Sequence, residues 1–159
     1  MTFTNILVAL DQSSSAEAVF HQALELVHDR SSLLIFHAMQ VDVPGQTGPF
    51  LGIGTLADVD VYSSLKHDQR EQIQKDIDEA EAWLNGYGRR AQAKGIQPEC
   101  VCKVGEPGSW ICDLANNWKA DLIVIGRRGR TGLAEIVLGS VSNHVVHQAP
   151  CSVLVVQGH

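Results

Sequence analysis

Short, uninterrupted apolar runs recur along the chain and alternate with longer stretches in which apolar residues follow a helical period. Four such runs occupy residues 6–10, 33–36, 122–125 and 153–156. An uninterrupted apolar run of this length is typical of a strand buried on both faces, as in a parallel sheet covered by helices. A fifth, more polar strand is predicted for residues 97–104.

The stretches between the runs have the pattern of amphipathic helices. Ser14 and Glu17 have the spacing of a capping box, which predicts the start of a first helix. Pro107 suits the first turn of a third helix, and a fourth is predicted for residues 139–148, just before Pro150. The second helix has the clearest pattern, with apolar residues at spacings of three and four: Ile73, Ile77, Ala80, Leu84, Tyr87 and Ala91.

This alternation of strands and helices predicts one α/β domain with a doubly wound, five-stranded parallel sheet and helices on both faces. The length of 159 residues agrees with one domain. The net charge of −6 disfavours nucleic-acid binding, because phosphate backbones select basic surfaces. No apolar run approaches the roughly 20 residues of a membrane span, and the first residues lack a secretory signal pattern. We therefore expect a cytoplasmic protein with no membrane partner.

One segment has no period. Residues 42–58 contain six glycines and prolines, and the predicted flexible loop extends to about residue 66. Within it, residues 52–57 fit the dinucleotide-binding fingerprint G-x-G-x-x-A. That fingerprint requires a strand directly before it and a helix directly after it, and neither is predicted there. A mobile flap near a ligand is the favoured interpretation.

Small and polar residues follow two of the predicted strands, at the edge where open α/β sheets bind ligands. Asp11 follows the first strand, residues 126–132 follow the fourth, and Gly139 opens the next helix. Gly126 and Gly129 let the backbone approach a ligand closely, and consecutive N–H groups in such a turn form a nest for phosphate. The helix start adds unpaired N–H donors and the positive end of a helix dipole. These features alone fit a phosphate site and an ordinary capped loop with solvated arginines equally well.

The spacing of the glycines carries a resemblance. Gly126, Gly129 and Gly139-Ser140 match the pattern G-x2-G-x9-G-[S/T], and no Gly-Lys-Ser/Thr follows as it would in a P-loop. In this pattern, and in residues 6–11 and 37–39, the chain resembles the ATP-binding subgroup of the universal stress protein family. The resemblance implies a Rossmann-like sheet with strand order 3-2-1-4-5.

The resemblance also implies how ATP is held. Mg²⁺ or Mn²⁺ would accompany ATP through its phosphates, because the sequence has no carboxylate cluster that could hold the metal alone.

Members of the family commonly form homodimers by joining their fifth strands across a two-fold axis, so a homodimer and a regulatory protein partner are expected. The implied contacts run from adenosine to the last phosphate: Ala9, Leu10 and Asp11 beside the adenosine, the backbone of Ala38 at the adenine edge, Ile125 and Gly126 at the ribose and first phosphates, Arg128 and Gly129 flanking the phosphate chain, and Gly139, Ser140, Val141 and Ser142 around its end.

Two functions fit these residues. In the first, ATP occupancy switches conformation or partner choice during stress. In the second, the protein is a slow ATPase or an (auto)phosphotransferase. Hydrolysis needs a group that orients water in line with the γ-phosphate, and Asp11 would lie at the adenosine end instead. The S-G-G-x-D-S and H-x-G-H signatures of ATP pyrophosphatases and nucleotidyl transferases are absent. Binding is therefore favoured, and no catalytic residue is assigned.

The remaining chemistry-bearing residues are interpreted as structural. His144 and His147 lack an evident third metal ligand, and His37 is expected to make a structural hydrogen bond. Cys100-x-Cys102 has no second pair at metal-ligand spacing, so all four cysteines are expected to be buried and unreactive. The three tryptophans are expected to lie in the core, because they recur with aliphatic residues at helical spacing.

Overall fold

A five-stranded, all-parallel sheet forms the centre of the protein. The computed structural model describes residues 2–41, 63, 65–127 and 138–158. The strands are hydrogen-bonded in the order β3-β2-β1-β4-β5, so the predicted sheet and its strand order are confirmed. In chain order the elements are β1 (Asn5–Ala9), α1 (Ala16–Leu26), β2 (Ser32–Met39), α2 (His67–Gln92), β3 (Glu99–Val104), α3 (Pro107–Trp118), β4 (Leu122–Gly126), α4 (Ser140–Gln148) and β5 (Ser152–Val156).

Helices cover both faces of the sheet. On β1, Ile6 and Val8 belong to one core cluster, which includes residues of α1 and α2. Leu7, between them, belongs to a second cluster, which includes residues of α3 and α4. Successive side chains of a strand point to opposite faces, so a strand covered on both faces must be apolar at every position. This explains why the central runs of the sequence have no polar interruption.

The predicted second and third helices are confirmed. The apolar face of α2 buries Ile73, Ala80, Leu84, Tyr87 and Ala91, and the chain turns after the helix at Gly95, where φ is +81°. Pro107 occupies the first turn of α3. The carboxylate of Glu106 caps that helix by accepting hydrogen bonds from the Gly108 amide at 2.9 Å and the Ser109 amide at 2.6 Å. Burial opposes ionisation of Glu106, but these hydrogen bonds outweigh it and hold the pKa of the carboxyl below its ordinary value.

The predicted capping box of the first helix is wrong. Helix α1 begins at Ala16, and its N-cap residue, Ser15, makes no side-chain capping bond. The carboxylate of Glu17 instead accepts two hydrogen bonds from the Arg90 guanidinium, at 2.7 and 2.8 Å, and one from the Tyr87 hydroxyl at 3.2 Å. Glu17 therefore joins α1 to α2, a contact between distant residues that local spacing does not reveal.

The structure corrects the predicted start of the third strand and the predicted position of the tryptophans. Strand β3 begins at Glu99, two residues later than predicted. The tryptophans are half-buried at the margins of the two core clusters rather than inside them. Two of the indole N–H groups explain this position, because they reach polar acceptors: Trp110 bonds the Val104 carbonyl at 3.1 Å, and Trp118 bonds the Glu99 carboxylate at 3.0 Å.

The four cysteines are half-buried and unpaired rather than fully buried. Burial raises the pKa of all four thiols, and that of Cys102 reaches about 11. Cys100 and Cys102 both pack against the cluster under α1 and α2, so the two side chains share one face of β3.

Two further predictions concern the flap and the absence of a membrane span. The predicted flap at residues 42–58, including the fingerprint-like residues 52–57, lies outside the described residues. Across the ranges that are described, no helix has both the length and the apolar character needed to cross a membrane.

Candidate functional site

A cleft of about 550 Å³ lies at the edge of the sheet where the parallel strands have their carboxyl ends. Its floor is formed by residues that end β1, β2 and β4, the three central strands. In the sheet, β2 lies on one side of β1 and β4 lies on the other, so the strand order reverses between β1 and β4. Such a switch point opens a crevice because the flanking connections run in opposite directions.

The end of β1 is fixed by the end of β2. The Leu10 amide donates to the Phe36 carbonyl at 2.8 Å, and the Leu10 carbonyl oxygen lies 2.8 Å from Nδ1 of His37. Since a carbonyl only accepts, Nδ1 carries the proton in this bond. His37 is 5% exposed, and its ring packs edge-on against Trp83 with 5.0 Å between the centroids. The expected hydrogen-bonded, structural role of His37 agrees with this geometry.

Asp11 stands at the mouth of the cleft in a compact turn. Its Oδ1 accepts a hydrogen bond from the Ser13 amide at 3.2 Å and another from the Ser13 hydroxyl. The Ser13 and Ser15 hydroxyl oxygens are 2.8 Å apart, so the turn continues to the start of α1. These contacts hold the Asp11 carboxylate in place beside the end of β1.

The opposite side of the cleft is built by β4 and the start of α4. The Arg127 amide donates to the Val156 carbonyl at 2.9 Å, and the Gly139 amide donates to the Arg127 carbonyl at 2.9 Å. Gly139, directly before α4, therefore lies next to Arg127, directly after β4. Gly139 is the N-cap residue and makes no side-chain capping bond. The first-turn N–H groups of α4 have no partner within the helix and form, with its dipole, a site suited to an anion.

The two serines of this turn have different roles. Ser142 is 3% exposed, and its hydroxyl donates to the Gly126 carbonyl at 2.6 Å, with the Arg127 carbonyl at 3.2 Å. Its one proton is therefore engaged in tying α4 to β4. Ser140, in contrast, is exposed and lines the cleft.

Ten of the twelve residues predicted for the site line this one cleft. The other two, Arg128 and Gly129, lie outside the described residues. The ten are Ala9, Leu10, Asp11, Ala38, Ile125, Gly126, Gly139, Ser140, Val141 and Ser142.

The sequence does not predict the wall that α2 and α3 contribute to the cleft. Asp76, Glu79 and Ala80 of α2 line the cleft, and so do Pro107 and Ile111 of α3. The sequence does assign Ala80 to the buried face of α2. The sequence does not indicate how close that face lies to the end of β2, because this depends on how the helix packs across the sheet.

The described residues contain no group of three or more His, Cys, Asp or Glu side chains that could hold a metal ion. His144 packs closely against Gly108 of α3, and with Cys112 and Asp113 it lines a separate depression of about 340 Å³. The interpretation of His144 as a packing residue is consistent with these contacts.

Comparisons with known proteins agree with this fold. The family model described as the universal stress protein family matches residues 2–157. Universal stress protein Sll1388 of Synechocystis is 40% identical over 166 residues, covering 99% of each chain.

Two solved structures are similar over nearly the whole chain. UspA of Lactobacillus plantarum has a TM-score of 0.73 and 24% identity, covering 98% of this chain and 99% of its own. A universal stress protein of Archaeoglobus fulgidus, solved in complex with dAMP, has a TM-score of 0.61 and 26% identity, covering 98% of each chain. From the family match and the relative with 40% identity, the chain belongs to the universal stress protein family.

Proposed function

We propose that the cleft binds an adenine nucleotide, and that its ligand in the cell is ATP accompanied by Mg²⁺ or Mn²⁺. The observation that carries the proposal is the meeting of two features in one cleft. The unpaired amides at the start of α4 suit phosphates, and the Asp11 turn and the end of β2 suit a nucleoside. The volume of about 550 Å³ lies within the range of roughly 300–1,000 Å³ that is usual for small-molecule sites.

The solved relative that contains dAMP supports an adenine nucleotide as the ligand class. The apolar side chains of Ala9, Ile111 and Ile125 line the same cleft and offer a surface for a flat base. Ala38 lines the cleft at the end of β2, and its backbone is proposed to bond the edge of that base. The metal would be bound through the phosphates, because the described residues offer no cluster of their own to hold it.

We propose binding rather than turnover as the function. The described carboxylates that line the cleft are Asp11, Asp76 and Glu79, which come from the β1 turn and α2. None comes from the α4 side, where the phosphates would lie, so none is placed to orient water in line with a terminal phosphate. Nucleotide occupancy would then act as a switch that alters conformation or the choice of a protein partner.

We also propose that the protein acts in the cytoplasm as a homodimer. Strand β5 ends the sheet, and its residues Val153, Leu154 and Val155 remain half-buried. An apolar edge strand invites pairing, and two copies related by a two-fold axis would cover it on both. Sedimentation velocity at micromolar concentration checks this point, and a monomer there would contradict it.

Thermal melting with and without Mg-ATP tests the binding proposal. At about 100 times Kd, a ligand adds about 2.7 kcal/mol to the free energy of unfolding, which raises Tm by about 5–10 °C for a chain of this size. The variant Ala38→Leu adds bulk inside the cleft and is expected to lose the shift. Ala82→Leu makes the same change at an exposed position of α2 and is the matched control. A shift with AMP or a cyclic nucleotide, but none with ATP, would redirect the assignment.

A further inference from the structure

We infer that Asp76, assisted by Glu79, forms a negatively charged wall that makes the cleft select adenine nucleotides by the charge of their phosphates. The inference rests on the proposed function. It predicts that metal-free ATP binds poorly relative to AMP, whereas ATP neutralised by a divalent cation does not suffer this penalty. The wall thus makes ATP bind more tightly when a metal ion accompanies it, although the metal is bound by the phosphates.

The two carboxylates lie on consecutive turns of α2 and both line the cleft. Asp76 is half-buried and accepts a hydrogen bond from the neutral amide of Gln72 at 2.8 Å. Among the described residues, no cation forms an ion pair with Asp76. Glu79 has Lys75 at 3.8 Å, but the two side chains are 68% and 67% exposed and screened by water. Asp76 therefore contributes the larger part of the negative potential.

The carboxylates of α2 and the first turn of α4 lie on opposite sides of the cleft. Helix α2 packs on β2 and β3, whereas α4 follows β4 on the other side of β1. Helix α2 covers one face of the sheet and α4 covers the other, and they are also offset by two strand spacings of about 4.8 Å, so the α2 wall and a ligand at the first turn of α4 are separated by roughly 15 Å. No Lys or Arg is found among the described residues that line the cleft. The α4 amides attract phosphates, and the carboxylates of α2 repel them.

This repulsion grows with the charge of the ligand. The phosphate of AMP carries about two negative charges, metal-free ATP carries about two more, and a bound divalent cation cancels about two of them. Over roughly 15 Å, with an effective dielectric constant between about 40 and 80, the interaction of one wall charge with one ligand charge changes affinity about 1.6- to 2.5-fold. Metal-free ATP has about two more charges than AMP, so removal of one wall carboxylate should favour it over AMP by about three- to sixfold at low salt, where screening is weak.

Isothermal titration calorimetry at low ionic strength tests the inference with three ligands: AMP, ATP in EDTA, and Mg-ATP. The variants are Asp76→Asn, Glu79→Gln and the double substitution, each of which keeps nearly the same side-chain shape. Asp78→Asn is the control, because the exposed Asp78 accepts a hydrogen bond from Gln74 at 2.9 Å in the same geometry but does not line the cleft.

The expected result is a Kd ratio of AMP to metal-free ATP that rises at least about threefold in Asp76→Asn, and further in the double variant. The ratio of AMP to Mg-ATP should change by less than about twofold, and Asp78→Asn should resemble the wild type. Nucleotide binding with the same ratios in all variants would overturn the wall and leave the proposed function standing. No binding of any adenine nucleotide to the wild type would overturn both.

Discussion

The imidazole of His37 and the carbonyl of Leu10 are 2.8 Å apart, and this bond joins the ends of two neighbouring strands at the floor of the cleft. It holds in place the residue that directly precedes Asp11. The bond lies in a nearly water-free environment, because both residues are buried. A buried acceptor that loses its donor there pays its full desolvation penalty.

The variant His37→Phe should therefore be less stable by about 1–3 kcal/mol. Phenylalanine keeps a ring beside Trp83 but cannot donate to the Leu10 carbonyl. His37→Asn retains a donor and is the comparison expected to recover part of the loss. Urea unfolding at neutral pH measures both, and equal stability of His37→Phe and the wild type would contradict this role for the bond.

The two serines at the start of α4 should respond differently to alanine. Ser142→Ala removes the bond to the Gly126 carbonyl and should lower the free energy of unfolding by about 1–3 kcal/mol. Ser140→Ala changes an exposed hydroxyl and should stay within about 0.5 kcal/mol of the wild type, while nucleotide binding weakens. Denaturation and calorimetry on the same samples separate the effects. A loss of stability in Ser140→Ala, with none in Ser142→Ala, would reverse the assignment of the two residues.

The Glu106 cap predicts a pH dependence of stability. Hydrogen bonds from Ser109 and Gly108 lower the pKa of this carboxyl in the folded protein despite its burial. A group with a lowered folded pKa stabilises the protein above its unfolded pKa, here about 4.3, and the stabilisation disappears as pH falls through the folded value. Glu106→Ala should thus lose about 0.5–2 kcal/mol at pH 7.

The same substitution should have progressively less effect as the pH is lowered below about 4. Glu106→Gln keeps an oxygen acceptor without the charge and serves as the control. Urea midpoints measured between pH 3 and pH 7 would count against the cap if the difference between Glu106→Ala and the wild type stayed constant.

The cysteines should be slow to react. Burial, with a smaller contribution from Glu81, raises the pKa of Cys102 to about 11, so about one molecule in a thousand carries the thiolate at pH 8. Burial raises the pKa of Cys100, Cys112 and Cys151 in the same direction. Ellman's reagent should therefore label the folded protein far more slowly than the same protein in guanidinium chloride. Complete labelling of the folded protein within seconds would show that the thiols are activated.

The parts of the fold that the sequence predicts best depend on local pattern. Uninterrupted apolar runs identify the central strands because both faces of the sheet are covered, and the period of α2 identifies its buried face. The ends of strands also point to the edge of the sheet where Asp11 and Gly139 meet in one cleft. In each case the information is contained within a few neighbouring residues.

The errors concern contacts between residues far apart in the chain. Glu17 has the spacing of a capping residue, but the Arg90 guanidinium, 73 positions away, offers it two charge-assisted hydrogen bonds. Asp76 has the pattern of a solvent-exposed helical residue, and only the packing of α2 over β2 brings it to the cleft. Neither relationship has a local signal, so neither is predictable from the sequence alone.

The most direct test of the central claim is to locate the bound nucleotide by NMR. On titration of Mg-ATP into ¹⁵N-labelled protein, the largest amide shift changes should fall on Asp11, on Ala38 and on Gly139 to Ser142, which line the cleft from opposite sides. Smaller changes are expected at the β5 edge and around His144. Saturable binding with its largest changes at those distant places, or no change at any amide at millimolar Mg-ATP, would contradict the claim that this cleft binds the nucleotide.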